Sequence, residues 1–397
     1  MEKSKIKSIA RKRWSRRIYS RYMNSDSKKI KLGSRKKSCF TSKANSSRAE
    51  HANKCKGKVE KFKFFATTLT VAPLKYKDRK CALEFFSKIN AFLKSSEGNC
   101  DILLNLEGVE KVDPSGCAFL FSYIEMFQEV YPGCNIKIKY PRKIKPTPGN
   151  GCHHTAQPNH VFNHLKLYER LGTRKAPVFH TVAPPNLKVW ETISFVNDSE
   201  LVGKILENVC EKVPDISPAQ RSQIWKVLIE AVNNCPEHAY DKAFMRDKGL
   251  KYNKTRCLFA IIEGHLAIAV ADLGVGIPYT LEHGKAKEVW NIIRKLLKAS
   301  TASGTKDSHY LQGMINIKDV RKRLSRYTKY DNRGHGGADL RKAIKELKGK
   351  ILIMSGKGSL MLDASTPEPN KLTLRDFNTG LDGTLIYMSI PLTDINE

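Results

Sequence analysis

Asp272-Leu273-Gly274-Val275-Gly276-Ile277-Pro278 follows the run Leu266-Ala267-Ile268-Ala269-Val270-Ala271, and its reading decides the fold of the second half of the chain. Upstream, Cys257–Ile262 and the turn Glu263-Gly264-His265 complete a β-hairpin that delivers Asp272 to a strand end. A carboxylate there accepts a hydrogen bond from an exocyclic amine such as that of adenine. Gly274 and Gly276 let the backbone pass close to a ring, with Ile277 beside it. The competing reading is a plain glycine-rich turn.

Working upstream, Ser217-Pro218-Ala219-Gln220 combines a capping serine, a proline at the first helical position and a glutamine able to close a capping box. A helix is expected from Pro218 to about residue 235. Ile224, Leu228, Ala231, Val232 and Cys235 fall on one side of it, while Glu230 and Asn234 share another face. A carboxamide oxygen beside a carboxylate suits a magnesium-nucleotide site, the first coordinating the ion and the second deprotonating a water or hydroxyl. A solvated surface pair is the alternative. Downstream, Arg333-Gly334-His335-Gly336-Gly337 leads into a helical stretch at Ala338–Leu347, where glycine amides at a helix N-terminus suit phosphate oxygens. Strands are expected at Ile351–Ser355 and Leu360–Asp363, and Gly383-Thr384 opens the last one, Leu385–Pro391.

Taken in order, the Glu-x-x-x-Asn helix, the Asp-x-Gly-x-Gly-Ile-Pro strand end, the glycine-rich turn before a helix and the Gly-Thr strand resemble the GHKL ATPases across residues 190–397. The resemblance implies an α/β sandwich binding ATP and Mg2+. In it Glu230 is the catalytic base, Asn234 the magnesium ligand and Asp272 the adenine contact. Gly334, Gly336 and Gly337 face the phosphates, Thr384 supports the adenine site, and residues 279–333 form a mobile lid. Two departures stand out. Pro236 falls where the family's helix usually continues, and Gly337 replaces an apolar residue. Glu230-Ala231-Val232-Asn233-Asn234 and His238-Ala239-Tyr240 look most like the anti-sigma-factor serine kinase branch.

Within the first half, Phe62–Val71, Asp101–Leu106 and Asn135–Tyr140 read as strands, Ala82–Phe92 as a helix, and an apolar helix runs from Pro114 to Val130. Asp113 is its N-cap, with Pro114 at the first helical position. The alternation implies a small α/β domain with a partly parallel sheet. Its Asp113-Pro114-Ser115-Gly116 turn resembles the Asp-Ser-Ser-Gly type motif of STAS domains, which implies that Ser115 is a phosphoacceptor; a capping or packing serine is the alternative. Prolines and glycines at 141–160 mark a loop, Asn163–Leu171 is a last helix, and the boundary falls near 175–188. The expected fold class is therefore α/β, with a basic arm over 1–60, a STAS-like domain over 61–175 and a GHKL-type domain over 176–397, and no single core shared by the two domains.

Charge singles out the arm. The chain carries a net +31, and residues 1–60 hold 20 Lys and Arg against four acidic residues. Arg11-Lys12-Arg13, Arg16-Arg17 and Arg35-Lys36-Lys37 could neutralise phosphates, so nucleic acid is one expected partner and a solvated tail the other reading. No segment approaches the ~20 apolar residues of a membrane helix, so no membrane partner is expected. No apolar core of about 7–15 residues follows the basic start, so no secretory signal is expected. Ten cysteines without a Cys-x-x-Cys pair suggest a reducing, cytoplasmic setting. The group Cys152, His153, His154, His160 and His164 has no familiar zinc spacing and reads as loop.

These residues lead to a cytoplasmic ATP-binding regulator. It would act as a serine kinase on its own STAS-like domain or on a regulatory protein partner. The alternatives are an ATPase switch that drives homodimerisation or nucleic-acid association, and a non-catalytic ATP-binding scaffold.

Overall fold

A computed structural model describes residues 60–66, 69, 71, 76–95, 100–142, 158–175, 189–196, 198–213, 216–234, 239–247, 249–262, 264–284, 291, 306–324, 336–365 and 372–392. The arm, apart from Glu60, and the 175–188 boundary, apart from residue 175, lie outside them, as do Cys152, His153, His154 and Gly334. The first strands, β1 (Glu60–Phe65), β2 (Cys100–Asn105) and β3 (Asn135–Lys139), pair in parallel in the order β1-β2-β3. Each crossover is a helix, α1 (Tyr76–Ser95) between β1 and β2 and α2 (Pro114–Val130) between β2 and β3. Parallel neighbours need such crossovers because the chain must return to the starting edge.

Asp113 caps α2 as its sequence requires, its carboxylate accepting from the Gly116 amide at 2.7 Å. Gly116 has no room for a side chain, since a Cβ would run into the Leu69 carbonyl. Two short helices follow, α3 (Pro158–His164) and α4 (Leu167–Arg170), in place of the single expected helix. Lys166 between them adopts a left-handed conformation with φ of 60°, which breaks the helical path.

The second half supplies β4 (Trp190–Phe195), α5 (Ser199–Lys212), α6 (Pro218–Asn234), α7 (Lys242–Asp247), β5 (Thr255–Ile262), β6 (His265–Asp272) and α8 (Ile277–His283). It continues through α9 (Asp307–Leu324), α10 (Gly336–Glu346), β7 (Lys350–Asp363) and β8 (Leu372–Pro391). The capping box of α6 forms: the Gln220 amide donates to Ser217 Oγ at 3.2 Å and the Ser217 amide to Gln220 Oε1 at 2.9 Å. Among the described residues these strands form one antiparallel sheet in the order β4-β5-β6-β8-β7. The two short strands expected over 351–363 are one continuous strand, and the last strand begins 13 residues before Leu385.

Both faces of this sheet are buried. Register places Leu258, Ala269 and Leu352 on one face, and Cys257, Val270, Ile386 and Ile353 on the other. The first face packs on α1 and α2, with α2 lying over β5 and β6 and α1 over β8. Ala269 and Ala271 are small enough to admit the bulky side chains of α2. Helix α5 lies against β4 and α10 against β7, and α6 contacts both of these helices. Helices α1 and α2 thus form a middle layer between two sheets, which is why α2 buries residues almost all round its circumference. One apolar cluster runs from Phe64 and Ile102 through Phe86 and Phe119 to Leu258 and Leu385 and so joins the two halves, while buried residues such as Leu206, Ile224, Leu228 and Ile353 lie outside it.

Charge fastens this joint. Glu125 of α2 pairs with Arg256 of β5, whose side chain is fully buried. Glu125 also accepts from Ser194 Oγ at 2.7 Å, Tyr252 Oη at 3.1 Å and Lys254 Nζ at 3.2 Å. Burial by itself would raise the Glu125 carboxyl, yet Arg256, Ser194 and Lys254 outweigh it and hold the group below its ordinary value. Cys100 and Cys134, at the entrances to neighbouring parallel strands, are joined in a disulfide. The cysteines therefore do not argue for a reducing compartment, because strand pairing brings together two that lie 34 residues apart in sequence.

Candidate functional site

Asp272 is the last residue of β6, and pairing sets it opposite Thr255 on β5 and Thr384 on β8; Thr384 in turn lies opposite Ser355 on β7. Directly opposed residues of antiparallel strands share a face, so Thr255, Asp272, Thr384 and Ser355 form a transverse polar row. It lies on the same face as Cys257 and Val270, the face turned away from α1 and α2. All four residues are buried. A row of buried polar groups across four strands is costly unless its members are hydrogen-bonded, and Asp272, Ser355 and Thr384 are.

Asp272 Oδ1 accepts from the Gly274 amide at 2.9 Å, folding the loop back over its own carboxylate. Ser355 Oγ accepts from the Ile277 amide at 2.8 Å, donates to the Gly383 carbonyl at 2.8 Å and lies 3.2 Å from Thr384 Oγ1. Gly276, with φ of 80° and ψ of 159°, occupies a region that is essentially closed to residues with a Cβ. A Cβ there would come within 2.8 Å of Ser355 Oγ. Ile277 then begins α8, with Pro278 at a position where the missing amide costs nothing.

Gly383 has the same requirement for another reason. Ser355 pairs with Thr384 but Gly356 pairs with Leu381, so Asp382 and Gly383 form a bulge in β8. Gly383 has φ of 84°, and a Cβ on it would run into the Asp272 carbonyl. The Gly-Thr pair read from the sequence is thus a bulge glycine followed by the residue that completes the row. Gly274 is tight as well: a Cβ would lie 2.5 Å from the Ala239 carbonyl oxygen. Ala239 O accepts from the Val275 amide at 3.1 Å, and Tyr240 Oη accepts from the Leu273 amide at 3.1 Å while donating to Lys254 O at 2.6 Å. The segment after α6 therefore shapes the loop.

On α6 the apolar residues Ile224, Leu228, Ala231 and Val232 are buried as their spacing predicts, and Glu230 is half-buried on another face. Asn234 is the last residue of the helix, one turn beyond Glu230. Cys235, Pro236 and His238 lie outside the described residues. Gly336 begins α10, and Gly337 is needed for packing: a Cβ would run into the Met314 carbonyl of α9. Helix α9 is itself anchored on the β7–β8 hairpin. Asp376 accepts from the Ser308 amide at 3.0 Å and from its hydroxyl at 2.6 Å, and Asp307 accepts from the Lys357 amide at 2.6 Å.

Ser115 lies apart from the row. It is fully buried, its hydroxyl donating to Asp113 Oδ1 at 2.6 Å and accepting from the Val71 amide at 3.3 Å. Helix α2, which it opens, covers the opposite face of the antiparallel sheet from the one that carries Asp272. His160 and His164 lie on α3, and no group of three or more metal-ligating His, Cys, Asp or Glu side chains occurs among the described residues. No described helix is long and apolar enough to cross a membrane.

The sequence reading brought Asp272, Gly276, Gly383 and Thr384 to one place but missed Ser355, Thr255 and Tyr240 as parts of it. Ser355 carries no local signal, because its role comes from the register between β7 and β8. No family model matches the chain, and no curated protein matches its sequence.

Proposed function

We propose that this chain is an ATP-binding regulatory protein of the GHKL type that uses Mg2+ and ATP to phosphorylate a serine on a partner protein in the cytoplasm. The observation that carries the reading is the buried row formed by Asp272 and Thr384, with Gly276 and Gly383 holding backbone conformations that only glycine takes readily. A nucleotide fits this donor and acceptor set. Asp272 accepts from an exocyclic amine, Thr384 lies directly beside it, Gly274 and Ile277 complete the loop, and the amides at Gly336 and Gly337 open an 11-residue helix suited to phosphate.

Asn234 would hold magnesium, which when bound offsets phosphate charge. Glu230, one turn earlier on α6, takes the proton from the attacking hydroxyl. A partner protein is favoured over Ser115 as the phosphoacceptor, because the Ser115 hydroxyl is buried and already donated to Asp113, behind the sheet from the row.

The test is incubation of the full chain with Mg2+ and γ-labelled ATP, alone and with candidate STAS-domain proteins. Label transferred to a partner serine is the expected result. Free phosphate alone points to an ATPase switch for dimerisation or nucleic-acid association, and ATP binding without turnover to a scaffold. An Asp272→Asn variant should lose at least about tenfold in ATP affinity; unchanged binding would remove the site.

A further inference from the structure

The hydrogen-bond inventory of Ser355 fixes the direction of a proton that matters to any ligand of the polar row. A serine hydroxyl has one proton to donate and two lone pairs to accept with. Ser355 Oγ lies 2.8 Å from the Gly383 carbonyl, which can only accept, so the Ser355 proton is committed there. One lone pair receives the Ile277 amide at 2.8 Å. The remaining neighbour is Thr384 Oγ1 at 3.2 Å, and with the Ser355 proton already placed, Thr384 must be the donor of that bond. The hydroxyl proton of Thr384 therefore points to Ser355, away from the Asp272 side of the row. Ser355 is fully buried and is pinned by the loop on one side and the bulge on the other, so this arrangement is preorganised.

We propose that Ser355 is a positioning residue that sets purine specificity: by taking the Thr384 proton it leaves Thr384 Oγ1 as an acceptor beside the Asp272 carboxylate, so that the site selects a ring bearing an amino group over one bearing a carbonyl. This rests on the nucleotide reading above. Asp272 and Thr384 are cross-strand partners, so two acceptors flank the same region. An amine can donate to both, whereas a carbonyl oxygen brings a third acceptor up against them. Removing Ser355 releases the Thr384 hydroxyl to rotate and donate, which makes the carbonyl acceptable.

The experiment compares equilibrium binding of ATP with that of inosine triphosphate, which has a carbonyl in place of the amino group, on the full chain with Mg2+. The parent should prefer ATP, and Ser355→Ala should lower the ATP-to-inosine-triphosphate affinity ratio by about tenfold. Equal weakening of both nucleotides, the signature of a merely structural role, overturns the proposal. Thr384→Val provides a second route that leaves Ser355 in place, and it decides the matter if Ser355→Ala does not fold. It should narrow the ratio likewise, and an unchanged ratio again overturns the proposal. In the double variant the two effects should not add, because both act through one proton. A parent that binds both nucleotides equally refutes the specificity role alone, while a parent that binds neither refutes the nucleotide reading and this proposal with it.

Discussion

At Gly383 a single missing methyl group holds two strands in register. Its φ of 84° and the closeness of the Asp272 carbonyl leave no space for a Cβ. Gly383→Ala should therefore lower stability by about 2–4 kcal/mol, seen as a fall in the urea midpoint at unchanged slope. Glu125 offers a second test. Its folded pKa is depressed by Arg256, Ser194 and Lys254 against the opposing effect of burial. A depressed carboxylate contributes stability that is fully present above its unfolded value of about 4.3 and is lost as pH falls through the folded value. Glu125→Gln should accordingly be less stable than the parent at pH 7, with the difference closing as the solution is acidified below about pH 4. Urea titrations of both proteins across that range measure it, and a constant gap would show that the charge of Glu125 is not what stabilises the joint. Complete removal in Glu125→Ala leaves the buried Arg256 guanidinium without its carboxylate and should cost about 3–5 kcal/mol.

Among the elements, α2 and β6 are shaped for each other. Helix α2 is apolar almost all round because it lies between two sheets, and β6 alternates Ala267, Ala269 and Ala271 with Ile268 and Val270 because its two faces meet different layers. Ala269→Leu should overpack the α2 contact and cost about 1–3 kcal/mol, whereas Val270→Ile, which adds a single methylene on the other face, should cost less than about 1.5 kcal/mol. Thermal melts of the two variants distinguish these cases. The strand β6 and its end at Asp272 were visible in the sequence. The bulge at Asp382 and Gly383 was not, because a bulge is defined by the partner strand; for the same reason β8 was expected to begin only at Leu385. The capping motifs at Asp113 and Ser217 were legible because each involves side chains and amides within three residues.

For the whole molecule, the shared apolar cluster has a consequence for dissection. A fragment beginning at residue 176 would expose Leu258, Ala260, Ala269, Ala271 and Leu385, the face that α1 and α2 cover. Such a fragment should bind a hydrophobic dye and aggregate where the full chain does not, and a monomeric, dye-silent fragment would show that the second half is self-sufficient. The arm makes a separate prediction. Removing residues 1–60 takes away 20 basic side chains and should abolish salt-sensitive association with duplex DNA while leaving ATP affinity unchanged. Titrations at two salt concentrations measure the first effect and nucleotide binding the second.

By itself the sequence determined what depends on neighbours along the chain: the helix caps, the apolar face of α6 and the strand end at Asp272. Only the tertiary structure decided that Thr255, Asp272, Thr384 and Ser355 share a row, that Ser355 directs the Thr384 proton, that Cys100 meets Cys134, and that α1 and α2 serve both sheets. Local motifs are written in hydrogen bonds a few residues long. Strand register and layer packing arise from contacts between segments tens to hundreds of residues apart, and no short stretch of sequence carries them.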